Sequence, residues 1–348
     1  MIAVAESLLY ACLEPKRGER ALIVGNPHPE IEPACLAFEQ VLRNMGVKVE
    51  QVFQGIKDSL SPMEDHVVEA LYQEPDLILS LTYAKMGMDP RAKETPLVTQ
   101  NRIYQNILQY LIFGKKVSRG FWSPGVRRAD LELAARVDWT SLRKEAQYLA
   151  SILNKSERIH VHSESGSDLS FLTQGRTAFL DHGDFRQPGQ GGNMPAGEVF
   201  LSPVNHSAQG RLVVDGSMVL NAGSVLLDDP LVLEFEKGFL IQAKGKLANQ
   251  LLADLSQAAQ GEVEAQRAMN CRHLGEFGIG LFPLEELTGR VLLDEKKRGT
   301  CHLALGANYD GDAAAPIHFD GVLRQPNVDV FFKDGSTVRL LEQGRPQW

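Results

Sequence analysis

Two rhythms of hydrophobicity divide this 348-residue chain, and they constrain its fold more than any other feature. Up to about residue 155, short apolar runs alternate with segments of helical spacing. The run 21–24 ends in the turn signal Gly25-Asn26-Pro27. Residues 31–45 then repeat with helical period, placing Leu36, Val41, Leu42 and Met45 on one side, with Gly46 as a C-terminal stop. Residues 47–53 alternate as a strand does, 63–72 read as helix, and 77–81 as a buried strand. Residues 103–113 look helical and 116–121 extended, and a long helical stretch covers 130–154 with a light break at Trp139-Thr140. Such alternation predicts an open, mostly parallel α/β sheet with helices on both faces.

Beyond residue 155 the pattern changes. Short runs at 158–162, 210–214, 217–220, 231–235, 239–243, 300–305, 317–323 and 328–332 read as strands separated by Gly-containing turns, with helix at 247–259. The expected organisation is therefore an N-terminal α/β domain, residues 1–155, followed by a β-rich α+β domain, residues 156–348, that carries the site.

Charge and composition narrow the class. The 44 acidic residues outnumber the 36 basic ones, so clustered positive charge for nucleic acid or an anionic membrane is not expected. The longest apolar runs fall short of the roughly 20 residues that a membrane span needs. The first 20 residues carry Glu6 within their apolar stretch and have no basic leader, which suits an amphipathic helix and not a secretory signal. Cys12, Cys35, Cys271 and Cys301 form no CxxC pair and fit neither a zinc knuckle nor a disulfide framework. Reduced thiols in a cytoplasmic protein are expected. The loop Gly25-Asn26-Pro27-His28-Pro29 follows a strand but lacks both glycine-rich phosphate-binding patterns, as does Gly189-Gln190-Gly191-Gly192.

Five side chains in the second half have the chemistry of metal ligands. His318 and Asp320 stand two apart in a strand and so share a face. His302 lies on a strand between Gly299 and Gly306. Glu198 and Glu276 sit in apolar, Gly-rich surroundings, where a carboxylate is costly to bury unless paired or metal-bound. Taken singly, each has an ordinary structural reading. Together, three carboxylates and two imidazoles form a ligand set for two divalent ions sharing a bridging carboxylate. Cys301 adjoins His302 but, in a strand, points to the other face.

The order GGNxPAGE, LGExGIG, GTxHxALGxNY and HxD, running from about residue 165 to 320, resembles the thermophilic metallo-aminopeptidases of the aminopeptidase T/PepS family. The resemblance implies that Glu198, Glu276, His302, His318 and Asp320 hold a pair of zinc-, cobalt- or magnesium-type ions. It also implies that Tyr309 stabilises the tetrahedral intermediate, that the enzyme is a homodimer, and that it removes N-terminal residues from peptides or small amides. Glu198 is the candidate general base and Glu276 the simplest bridge, although spacing alone does not assign these two roles. The segment 309–318 is compressed relative to the family. The sequence also looks distantly like the ring-cleaving 2,5-dihydroxypyridine dioxygenases, which hold one Fe(II) and carry histidine where this chain has Glu276. A non-catalytic binding protein on the same scaffold is the third class.

Overall fold

The computed structural model describes all 348 residues except 59, 60, 100–102 and 105. The chain forms two compact units: Met1–Arg143 with Asp181–Ala196, and Lys144–Leu180 with Gly197–Trp348. This differs from the single boundary expected at 155/156. The segment 181–196 returns to the first unit because Gly191–Asn193 is a strand that pairs in parallel with Arg119–Pro124. A three-residue, glycine-rich strand has too little pattern to be read as one.

The first unit contains the expected parallel sheet. Its order is Gly191–Asn193, Arg119–Pro124, Leu77–Thr82, Arg20–Gly25 and Lys48–Phe53, with every pairing parallel. Leu77–Thr82 is central, and all six of its residues are buried, as strands covered on both faces require. The helix Glu32–Asn44 has proline in its first turn, buries Ala34, Cys35, Phe38, Val41 and Leu42, and stops before Gly46 at positive φ. Leu36 is 51% exposed, so the buried stripe is rotated from the one read off the sequence.

Two element boundaries also move. Ile103–Tyr104 is a short strand paired with Leu97–Val98. Helix begins only at Ile107, where the Asn106 and Asp89 side chains accept the first free N–H groups. The strand expected at 116–121 runs from Arg119 to Pro124, because Val117 and Ser118 still donate back to Leu111 at the end of the preceding helical turn. The break at 139–140 is present: Asp138 accepts the Thr140 and Ser141 N–H groups and starts the helix Trp139–Leu153.

Among the described residues of this unit, Arg119 is the largest charged group that is fully buried. Its guanidinium donates to both Glu19 oxygens at 2.8 and 2.9 Å and to the Leu13 and Glu14 carbonyls. Burial opposes ionisation of Glu19, but the Arg119 hydrogen bonds hold its carboxyl below the ordinary 4.5. A carboxyl depressed in the folded state stabilises above its unfolded pKa and loses that contribution as pH falls through the lower folded value. Glu19→Gln is expected to cost about 3 kcal/mol at pH 7 by leaving a buried cation without its partner. The gap to wild type should narrow steadily below pH 4.5. Denaturant melts of both proteins across this range check it, and a pH-independent gap would contradict the pairing.

The second unit is built from two antiparallel sheets. One has eight strands, in the order Phe239–Lys244, Leu231–Glu236, Gln209–Val214, Asp168–Leu172, Ser156–His162, Asn327–Phe332, Thr337–Glu342 and Arg345–Pro346. The other has seven: Gly223–Leu226, Ser217–Leu220, His318–Leu323, Cys301–Gly306, Leu274–Gly280, Glu198–Leu201 and Phe179–Asp181. Phe171 of the first meets Phe277 of the second with ring centroids 5.4 Å apart, so the faces between the sheets form the core. Because side chains alternate along a strand, the residues flanking Phe277, Glu276 and Gly278, point to the opposite face. All four cysteines are buried and unpaired. Among the described residues, no helix is long and apolar enough to cross a membrane.

Candidate metal centre

The candidate ligands come from four adjacent strands of the seven-stranded sheet, and register brings them together. Glu276 pairs with Ala304, and Ala304 with Asp320. One step along, Gly278 lies opposite His302, and Gly280 lies opposite Glu198. His318, two residues before Asp320, shares its face. Glu198, Glu276, His302, His318 and Asp320 therefore converge, although 122 residues of chain separate Glu198 from Asp320.

Their donor atoms form two triads with one member in common. Glu198, Glu276 and His302 offer atoms within 4.8 Å of one another, and so do Glu276, His318 and Asp320. His302 Nε2 is 2.9 Å from Glu276 Oε1 and 3.4 Å from Glu198 Oε2. His318 Nε2 stands 3.3 Å from both Glu276 Oε2 and Asp320 Oδ1. Its other ring nitrogen, Nδ1, is 2.9 Å from the Ala307 carbonyl. That contact fixes the tautomer and turns Nε2 inward, the arrangement common for a ligating histidine.

Close approach depends on glycine at 278. A Cβ there would lie 2.2 Å from His302 Cε1 and 2.3 Å from Nε2. The imidazole takes up space beside Gly278 that any side chain there would fill. Leu274–Gly280 is buried along all seven residues, yet it is absent from the strands expected from the sequence, because Gly275, Gly278 and Gly280 lower its strand propensity.

The electrostatics fit cations. Burial opposes charge throughout the cluster, yet the mutual contacts prevail. Glu276 is lowered by its hydrogen bond with His302 and by the His318 imidazole close by, and Asp320 falls to about 2 beside His318. His302 rises to about 9 through Glu276 and Glu198, and His318 rises well above its usual value through Asp320 and Glu276. Glu276 Oε2 and Asp320 Oδ1 are buried without a hydrogen bond. Such atoms are expensive to leave unsatisfied, and a divalent cation would satisfy both. Carboxylates with imidazoles suit zinc-, cobalt- or manganese-type ions.

Tyr309 stands beside this cluster. Its ring packs edge-on to His318 with centroids 5.4 Å apart and against Phe200 at 5.0 Å, and it is 42% exposed. Its surroundings, and then the Glu276 and Asp320 carboxylates, raise the phenol well above its usual value, so it keeps its proton. Cys301 is on the opposite face, in register with Ile279.

Lys296 was not legible as a site residue. It lies in the charge run Asp294-Glu295-Lys296-Lys297-Arg298, which reads as a solvated surface. In the structure it is 0% exposed, and Nζ donates to Glu198 Oε1 at 2.9 Å and to Glu295. Lys296 therefore holds one Glu198 oxygen, while the other faces His302. The only sequence signal is Leu292-Leu293 just before, which marks the segment as partly buried.

Residues 128–345 match the thermophilic metalloprotease (M29) family, and the chain belongs to that family. Its relatives include proteins of a second activity. The 2,5-dihydroxypyridine 5,6-dioxygenase of Pseudomonas putida KT2440 is 26% identical over 201 residues, 54% of each chain, so the match spans about half of that relative's length. Two solved structures share the fold over nearly the whole chain. The 2,5-dihydroxypyridine dioxygenase from P. putida KT2440 superimposes with a TM-score of 0.73 at 17% identity, covering 99% of this chain and 95% of that one. Wild-type AmpT from Thermus thermophilus gives 0.69 at 15% identity, covering 99% of both.

Proposed function

We propose that this protein is a metal-dependent aminopeptidase that removes N-terminal residues from peptides or small amides, acting as a homodimer. The observation that carries this reading is the pair of donor triads sharing Glu276. Glu198, Glu276 and His302 would hold one divalent ion, and Glu276, His318 and Asp320 the other. When bound, such ions polarise a carbonyl and make water acidic enough to act as a nucleophile near neutral pH. Glu198 accepts the proton of the attacking water at Oε2, with Lys296 fixing the carboxylate through Oε1. Tyr309 donates its phenolic proton in a hydrogen bond to the oxyanion as it develops. Phe200 and His318 hold the Tyr309 ring in place.

The dioxygenase relative supports a second reading, a mononuclear Fe(II) ring-cleaving enzyme. The donor types weigh against it. The usual iron site of that class has two histidines and one carboxylate, whereas each triad here has one histidine and two carboxylates. Release of chromophore from aminoacyl anilides, abolished by a chelator and restored by Zn²⁺, Co²⁺ or Mn²⁺, with two ions per chain by elemental analysis, supports the peptidase. One iron per chain and oxygen uptake with 2,5-dihydroxypyridine supports the alternative.

Tyr309→Phe tests the oxyanion role. It removes one oxygen and leaves the packing against Phe200 and His318. Loss of a single transition-state donor is expected to lower kcat by about 10²–10³-fold with little change in KM. A loss carried mainly by KM would assign Tyr309 to substrate binding instead.

A further inference from the structure

Outside the Glu276 cluster, one other group of imidazole and carboxylate donors stands out among the described residues, on the eight-stranded sheet of the second unit. In the strand Ser156–His162, Ile159 and Val161 are fully buried. His160 and His162 therefore share the opposite, partly exposed face. Their rings stack with centroids 5.0 Å apart and planes at 24°. On one side, the strand Asn327–Phe332 places Asp329 opposite His160. On the other, Asp168 lies opposite His162. Each imidazole reaches diagonally: His162 Nε2 is 3.1 Å from Asp329 Oδ2, and His160 Nε2 is 2.7 Å from Asp168 Oδ1.

We propose that this face binds one divalent transition-metal ion of the zinc type, separately from the Glu276 cluster, with His160, His162 and Asp329 as ligands. One ring nitrogen from each histidine and one Asp329 oxygen lie within 4.8 Å of one another. Atoms so spaced stand at most about 2.8 Å from a common centre. Small ring tilts bring them to the roughly 2.0–2.2 Å of zinc ligation. Asp168 is not one of these donors; it hydrogen-bonds His160 Nε2 at 2.7 Å from the neighbouring strand. Two imidazoles select zinc, nickel or copper over calcium and magnesium, which prefer all-oxygen sites. Arg339 grips Asp329 with two hydrogen bonds, at 2.8 and 3.0 Å. The grip fixes the carboxylate's orientation and leaves a further lone pair on each oxygen, as outer partners of ligating carboxylates do. An open pocket of about 430 Å³ borders His162 and Arg339 on one side of this face. Because His162 and Asp329 are 167 residues apart in sequence, the ion would tie the first strand of this unit to one near its end, and so stabilise the fold by binding only the native form.

The test uses the full-length protein and Zn²⁺ or Cu²⁺ alone. Calorimetric titration of wild type with Zn²⁺ should show one ion per chain beyond the Glu276 cluster. The variant H160N/H162N should bind one ion fewer while keeping its peptidase rate and cluster occupancy. In Glu276→Gln, which disables the main cluster, Cu²⁺ should give an electron paramagnetic resonance signal with coupling to two nitrogens. Zn²⁺ should raise Tm by about 5 °C. Both effects should vanish when H160N/H162N is added. Each single change, His160→Asn or His162→Asn, should weaken binding at least about tenfold, which covers the case in which the double variant folds poorly. Equal Zn²⁺ stoichiometry in wild type and H160N/H162N, or a copper signal unchanged by these substitutions, overturns the proposal.

Discussion

On the proposed dinuclear aminopeptidase reading, Glu276→Gln is expected to remove both cations together and to lower turnover on the order of 10³-fold or more. The change keeps the size of the side chain but replaces two anionic oxygens by one neutral acceptor and an amide. Those oxygens serve different partners: Oε1 faces His302 and Oε2 faces His318. No other candidate ligand belongs to both triads. Groups that act as a unit lose nearly all function when one member goes, and the shared member is the one whose loss reaches both ions. The contrast is with the peripheral ligands. Asp320→Asn should leave the triad of Glu198, Glu276 and His302 intact, and His302→Gln should leave that of Glu276, His318 and Asp320 intact. Elemental analysis of the dialysed proteins reads this directly: near zero ions for Glu276→Gln and about one for each of the others. Two ions retained by Glu276→Gln would show that Glu276 bridges nothing.

The second large effect is expected from a single methyl group. Gly278→Ala places a Cβ 2.2 Å from His302 Cε1, well inside van der Waals contact. His302 is fully buried, so its ring is shielded from solvent on every side. Either the ring leaves Glu276 and Glu198 or the two strands separate. The expected outcome is a destabilisation of about 1–3 kcal/mol from overpacking, loss of one ion, and a fall in turnover of about 10²-fold. Truncating the histidine should remove the clash, so the double variant G278A/H302A should be more stable than the sum of the single changes predicts. Its metal content should not recover. Strict additivity of the two stability changes, or a Gly278→Ala enzyme with two ions and full activity, would mean that the ring does not depend on the missing side chain.

The parallel sheet of the first unit was legible because its strands are covered on both faces and so form unbroken apolar runs between helices of clear period. Leu77–Thr82 and Glu32–Asn44 are of this kind. The element limits at 103–113 and 116–121 were not, because caps set them: Asp89, distant in sequence, accepts the Ile107 N–H and decides where helix begins. The compact units have limits other than the expected 155/156 for a related reason. Gly191–Asn193 joins the parallel sheet through backbone pairing, which leaves almost no mark on side-chain pattern.

Residue chemistry alone singled out the three carboxylates and two histidines, since buried carboxylates among glycines and an HxD pair on a strand are unusual enough to stand out. Sheet register decided the rest. It made Glu276 the common member of two triads, laid the His302 ring over Gly278, and turned Lys296 from an apparent surface charge into the buried partner of Glu198. Those facts depend on which strands become neighbours and at what offset. Neighbours in an antiparallel sheet are chosen by packing summed over the whole unit, so segments with more than a hundred residues between them carry no local sign of the partner each will meet.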